Sequence, residues 1–365
     1  MDTFAFIIHP IDPKRDVSRK FPLLGRILTP RQIDFFSTFF PPVYISEIEG
    51  ICSQETGKTI KGWFIACPLT PARMLELSEQ VVYRKIVQTG RMAEQLGAQI
   101  LGLGAFTSVV GDAGVTIANQ LQIPVTTGDS YTVAVAVEAI EQAATLMNLD
   151  MANSPVAVVG ATGAIGQVCA ALLAQRAAEV HLIGRRMDAL QALRERLLLE
   201  KPRAQLHIAT DYAPLRQCPL ILTVTSAIHA VIEPSHLQPG SVICDVARPR
   251  DVSAQVAAQR DDVLVIDGGM VEVPGAVDFH FDFGFPRGKA YACMAETMAL
   301  ALEGRFEDYT LGKSLTVAQV EEIAGIARRH GFRLSGFRSF ERAITEEQIE
   351  RVRTRARRST TNRAS

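Results

Sequence analysis

Hydrophobic and polar positions follow two rhythms along the chain. In the first 150 or so residues, Phe4–Ile8, Val43–Cys52 and Thr59–Cys67 read as strands, the last two forming a hairpin with Gly57-Lys58 in its turn. Residues 72 to 96 carry helical spacing that stops near Gly97, and Ile100–Leu103 is a short apolar run before Gly104. A long helix is expected through Val133, Val137, Ile140 and Ala144, with Asp129 or Ser130 as its N-cap. Asn153-Ser154-Pro155 then interrupts the chain and marks a domain boundary. Beyond it, Val156–Val159, Val180–Ile183, Leu220–Val224, Val242–Cys244 and Val263–Ile266 are continuous apolar runs separated by helical stretches. Strands buried on both faces read this way, so the pattern predicts an α/β protein with a doubly wound parallel sheet. Past residue 285 the chain reads as mainly helical.

The stretch after the first of these strands gives the sheet a chemistry. Val156-Ala-Val-Val-Gly160-Ala-Thr162-Gly163-Ala164-Ile165-Gly166 is a strand, a glycine turn and a helix start, spaced G-x-x-G-x-x-G. One glycine permits the tight turn, a second lets backbone approach a pyrophosphate, and a third lets helix pack on strand. The helix N–H groups then hold the phosphates. The next strand ends in Gly184-Arg185-Arg186, where an NAD enzyme usually carries an acid for the ribose hydroxyls. Arginine suits a 2′-phosphate, so the expected cofactor is NADPH in a Rossmann-type domain. Thr225, Ser226 and Ala227 follow the fourth strand and Gly268-Gly269 the fifth, where loops line the cofactor crevice. Plain turn geometry is the competing reading for these loops.

The domains expected are an N-terminal α/β substrate domain (1–152), the Rossmann domain (153–285), a C-terminal helical segment (286–350) and a basic tail (351–365). Net charge is −1, yet the final fifteen residues hold six arginines and no acid, leaving 32 basic against 39 acidic residues elsewhere. With no aromatic residue interleaved, the tail is expected to be disordered and solvated, and nucleic acid is not an expected partner. No signal-like segment and no apolar run long enough to span a bilayer is apparent, so a cytoplasmic protein is expected, with peripheral membrane contact open. The six cysteines form no C-x-x-C pair and read as reduced thiols.

Cys293, in Ala290-Tyr-Ala-Cys293-Met-Ala-Glu296, precedes a helical apolar pattern through Met298 and Leu302. A helix N-terminus lowers a thiol pKa, and Lys289 and Arg287 upstream are expected to add positive field. A thiolate there can attack an acyl thioester, although inert buried cysteines are commoner. His229 and His280 are weaker candidates for proton transfer. Asp278, His280 and Asp282 alternate with phenylalanines and would share one face of a strand, a solvated face before a metal site. No metal is specified by ligand spacing. Phe35, Phe36, Phe39 and Phe40 are candidates to line an apolar tunnel, or else plain core.

The chain resembles the long-chain acyl-(acyl-carrier-protein) reductases that make fatty aldehydes for alkane biosynthesis. The resemblance runs from about residue 40 to Phe332, through Gly102–Ser108, Thr126-Thr127-Gly128, Val156–Gly163, Gly268–Glu272, Ala292–Glu296 and Arg329–Phe332. It implies that Cys293 is the acylated nucleophile and that NADPH reduces a long-chain acyl-ACP or acyl-CoA thioester to an aldehyde. It also implies a possible aldehyde-deformylating oxygenase as downstream partner. Thr107, Ser108, Thr126, Thr127 and Gly128 close strand ends in the first domain and are the expected substrate-side residues. Departures stand at Ala164, at Asp245-Val246-Ala247, at Tyr291 and across Pro274–Pro286, and they bear on chain length and carrier. The alternatives are a shikimate- or methylene-tetrahydropterin-type dehydrogenase, which needs no cysteine, and a non-catalytic NADP-binding protein.

Overall fold

The computed structural model describes residues 1–340 and 342–364, with side chains through Arg357. The chain forms two compact units, each built from two separated stretches: Met1–Tyr131 with Val271–Arg333, and Thr132–Met270 with Leu334–Ser365. The expected division at 152, 285 and 350 is therefore revised. At the expected break, Asn153 ends a 3-10 turn and Pro155 opens a strand, but the unit changes inside the preceding helix. A local turn signal cannot report which side of a helix gains its contacts from which sheet.

In the first unit, strands β1 (Asp2–Ile8), β2 (Val43–Cys52), β3 (Thr59–Ala66), β4 (Leu101–Leu103) and β5 (Val125–Thr126) appear where apolar runs predicted them, with β5 added. Helices α1 (Pro13–Lys20), α2 (Pro22–Ile27) and α3 (Pro30–Ser37) lie between β1 and β2. The single helix expected over 72 to 96 is two, α4 (Pro71–Glu76) and α5 (Glu79–Gln95). Leu77 turns to extended backbone between them. Short α6 (Phe106–Val109) and α7 (Val115–Ala118) follow β4, and α8 (Asp129–Leu146) begins in this unit and continues into the second.

The second unit holds β6 (Pro155–Val159), α9 (Ala164–Ala174), β7 (Glu179–Ile183), α10 (Met187–Leu199), β8 (Gln205–Ala209), β9 (Leu220–Thr223), β10 (Val242–Asp245), α11 (Ala254–Gln259) and β11 (Leu264–Asp267). Its six strands run β11-β10-β9-β6-β7-β8, every neighbouring pair parallel. This is the 3-2-1-4-5-6 order of a doubly wound Rossmann sheet, reversing between β6 and β9. Val156, Val158, Val180, Leu220, Ile221, Leu222, Val242 and Ile243 are fully buried, as a sheet covered on both faces requires. β8 was not legible because QLHIA on an edge strand carries a weak alternation.

The chain then returns to the first unit with β12 (Met270–Glu272), β13 (Gly275–Asp278), β14 (Lys289–Tyr291), α12 (Ala292–Glu303) and α13 (Val317–His330). The first sheet is ordered β13-β2-β3-β1-β4-β5, with β3, β1, β4 and β5 parallel and β2 and β13 antiparallel at one side. The alternating strand expected through Asp278, His280 and Asp282 stops at Asp278. His280 adopts a left-handed φ of 47°, and Phe279 is buried against Phe64 instead.

The last helix, α14 (Glu346–Ala364), contradicts the disordered tail over the described residues. Ile349 and Val352 are buried, Arg353 donates to the Leu146 carbonyl, and Arg353–Glu350 and Arg351–Glu347 pair along the helix. These anchors supply what the arginine composition hid. Among the described residues no helix is long and apolar enough to cross a membrane.

Candidate active site: a cysteine at a helix start and a glycine turn for a dinucleotide

In the first unit the parallel strands point their carboxyl ends one way, the end at which open α/β sheets collect ligands. β5 leads there into Thr127-Gly128 and α8. Gly128 has φ +77°, and a Cβ on it would lie 2.4 Å from Cys293 Cα and Cβ. Only glycine lets the start of α12 seat so closely. Cys293 is the second residue of α12, whose N-cap Tyr291 supplies no side-chain cap.

One side chain locks this arrangement. Glu296, fully buried one turn further into α12, accepts from the Ser130 hydroxyl at 2.7 Å, the Tyr131 N–H at 2.8 Å, the Thr310 hydroxyl at 2.8 Å and the Thr126 hydroxyl. A buried carboxylate is tolerable only when so many donors reach it. The residues come from positions up to 170 apart in sequence. Thr126 is thus a structural donor. The far end of α12 is also held, since Lys58 Nζ donates to the Ala301 and Leu302 carbonyls and Gly304 closes the helix with left-handed backbone.

The electrostatics correct the expected thiolate. Burial pushes the Cys293 thiol up to about 12, and the Asp129 carboxylate, then Glu296, push the same way. Backbone N–H groups at Met294 and Cys293 pull down, but they lose. The charges beside the sulfur are negative. Lys289 turns to Glu272 at 3.8 Å. Asp129, first residue of α8, is itself raised to about 7 by burial and then by Glu296, opposed by Thr127. The ionised Asp129 carboxylate is the nearest charge opposing the Cys293 thiolate.

The other expected substrate-side residues turn inward. Thr107 and Ser108 are buried, and their hydroxyls donate to the Gly104 and Ala105 carbonyls in their own turn. That turn carries Ala105 at φ 47°, unusual for a residue with a Cβ. His9, at the end of β1, was missed in the sequence. It accepts from the Phe106 N–H through Nε2 at 3.0 Å, and burial lowers it to about 4, so it is a neutral support of the turn. His280 lies 3.5 Å from Glu49 and 3.8 Å from Asp278 on the β2–β13 side.

Phe35, Phe36, Phe39 and Phe40 stand exposed on and just after α3, so they line no tunnel. A different aromatic chain leads to the cysteine: Phe64, Phe279, Phe283, Phe285 and Tyr291 contact in succession, with centroids 4.5 to 5.6 Å apart. The rearranged Pro274–Pro286 segment contributes three of them.

In the second unit the glycine turn has the shape its spacing demanded. Gly160 has φ +83°, and a Cβ on Gly166 would lie 2.2 Å from the Gly160 carbonyl oxygen. Gly163 caps α9 without any side-chain hydrogen bond, so the first N–H groups, at Ala164 and Ile165, are left for an anion. Thr162 borders Gly184, 3.5 Å from a Cβ built there, and Arg185 and Arg186 are exposed just beyond. These residues fit a dinucleotide phosphate. Thr225 is held rather than free: its N–H and hydroxyl both donate to Asp251, as does the Thr223 hydroxyl. Ser226 is exposed, Ala227 N–H donates to Thr225, and His229 is exposed in the same loop. Gly268 packs near Cys244 and Val246, while Gly269 takes φ +81° with open space beside it. Asp245, Asp251 and Asp267, with Arg248 and Arg250, form a buried charged cluster at the strand ends that no spacing revealed.

Together these define an α/β protein with an oxidoreductase-type dinucleotide domain and a second unit presenting a cysteine at a helix start. The sequence profile of the family Shikimate / quinate 5-dehydrogenase matches residues 141–268. The chain is 34% identical over 302 residues to Aminotransferase PigE of Serratia sp., covering 81% of this chain but only 35% of that protein. It is 29% identical over 348 residues to the long-chain acyl-(acyl-carrier-protein) reductase of Synechococcus elongatus, covering 90% of this chain and 98% of that one. Among solved structures, L-tryptophan dehydrogenase from Nostoc punctiforme overlaps at a TM-score of 0.40 and 11% identity, over 99% of this chain and 89% of that one.

Proposed function

We propose that this protein reduces a long-chain acyl thioester to an aldehyde with NADPH, through an acyl-enzyme on Cys293. The observation that carries the reading is the cysteine seated on Gly128 at the start of α12, locked by Glu296 and bordered by Asp129. A merely structural cysteine needs no carboxyl at its side. The full-length similarity to an acyl-carrier-protein reductase supports it. The Gly160–Gly166 turn would hold NADPH, with Arg185 and Arg186 for its 2′-phosphate, and the bound cofactor would supply hydride.

The chain's own residues do the rest. Asp129 takes the Cys293 proton, which also removes the negative charge beside the nascent thiolate. The sulfur attacks the thioester carbon, the carbon–sulfur bond to the carrier breaks, and the carrier leaves as a thiol with the proton that Asp129 took. Hydride added to the acyl carbon would then break its bond to Cys293, freeing the aldehyde and a thiolate that regains a proton from solvent. N–H groups of the first turn of α12 steady the tetrahedral oxyanion. The Phe279, Phe283, Phe285 and Tyr291 rings give the acyl chain an apolar wall. The carrier is an acyl-carrier protein or coenzyme A, and the aldehyde would pass to a consuming enzyme such as a deformylating oxygenase.

Intact mass is measured after mixing with palmitoyl-ACP or palmitoyl-CoA without NADPH, for wild type and Cys293→Ala. A gain of one acyl group in the wild type alone, discharged by NADPH, is expected. No adduct with either carrier would remove the cysteine mechanism and leave the dehydrogenase suggested by the match over 141–268.

A further inference from the structure

Away from the cofactor turn, the second unit brings three ligand-type side chains together. Glu179 and His181 are two apart on β7, so they share a face, and His207 on β8 is paired in register with His181. The two imidazoles stack with centroids 4.7 Å apart and planes 22° apart. Glu179 Oε2 lies 3.6 Å from His181 Nε2 and 3.4 Å from His207 Nε2. Those separations exceed the roughly 2.7–3.2 Å of an N–H···O hydrogen bond. They lie near the edge of about 3.3–3.4 Å between ligands of a tetrahedral zinc held by bonds of about 2.0–2.1 Å, and all three ligand atoms lie within 4.8 Å of one another.

We propose that Glu179, His181 and His207 bind a zinc ion through three protein ligands, with water in the fourth position. Both strands are hydrogen-bonded through this stretch, so the donors are preorganised by backbone rather than by flexible loops. The set of two histidines and one carboxylate suits zinc, and the half-exposed Glu179 and His207 leave an approach from solvent. The site is separate from the proposed reaction: the arginine pair lies past the other end of β7, whose four steps from Glu179 to Ile183 alone span roughly 13 Å. Its effect is to staple edge strand β8 to β7.

The test uses the full, untagged chain after chelator treatment, titrated with zinc chloride by calorimetry and followed by thermal unfolding. One saturable zinc per chain and a raised unfolding temperature are expected. Cobalt(II) should give the visible bands of a tetrahedral site. His207→Ala, on the exposed edge, and Glu179→Gln should each weaken binding more than the roughly 10- to 100-fold that loss of a mere supporting group costs, with circular dichroism unchanged. No saturable uptake by the wild type, or uptake that survives both substitutions, would overturn the site.

Discussion

The chemistry at the residue scale turns on a thiol made reluctant by its surroundings. Helix-start amides favour the Cys293 thiolate, yet burial and two carboxylates outweigh them. Asp129 is the adjustable partner. Asp129→Asn removes the nearest negative charge, so the pH midpoint for alkylation of Cys293 by iodoacetamide should fall by about one unit or more. Acyl-thioester turnover should fall roughly a hundredfold or more, because the proton acceptor is gone. An alkylation midpoint left at the wild-type pH, or turnover left at the wild-type rate, would remove Asp129 from this role. The stability sign follows from the same shift. The folded-state carboxyl is raised from 3.8 to about 7, so the folded protein holds that proton more tightly than the unfolded chain. Its ionisation costs stability as pH rises through that window. The Tm of Asp129→Asn relative to wild type should therefore rise between about pH 5 and about pH 8. The comparison with wild type cancels His9, whose lowered pKa acts in the opposite direction.

Among the elements, α12 is the one that every part of the site depends on. Its first turn carries Cys293, its second carries Glu296, and its end rests on Lys58. Glu296→Ala would strand three hydroxyls and one N–H in a buried space. Urea unfolding should show a loss of at least about 3 kcal/mol. Glu296→Gln should cost less, since its carbonyl oxygen keeps some of those donors. An equal, small loss for both would mean that the network does not hold the helix. Apolar spacing from Met294 onward made α12 legible in the sequence. Its lock was not, because Thr126, Ser130 and Thr310 lie far from Glu296 along the chain, and pairing at that range follows from sheet order. The division of 72–96 into α4 and α5 likewise escaped a pattern that continues in helical phase across Leu77.

For the whole molecule, cysteine and dinucleotide turn belong to different compact units, so the two half-reactions should separate by mutation. Replacing Arg185 and Arg186 with alanine should raise the KM for NADPH roughly tenfold per arginine while acyl-adduct formation without NADPH stays at the wild-type level. KM for NADH should hardly move, because NADH has no 2′-phosphate to lose. An adduct that disappears along with NADPH binding would show that acylation needs the second unit's cofactor site intact.

Local chemistry, written in order along the chain, decided the buried strands, the Gly160–Gly166 turn, the arginine pair after β7 and a cysteine at a helix start. Apolar period, glycine φ freedom and charge are properties of short segments, so a sequence can display them. Tertiary structure alone decided that the first unit is completed by residues 271–333 and that Glu296 fastens Cys293 to Gly128. It alone set two carboxylates beside the thiol and paired His181 with His207 across a strand register. Each of these depends on which surfaces the folded sheets bring together, and burial there reversed the expected thiol pKa.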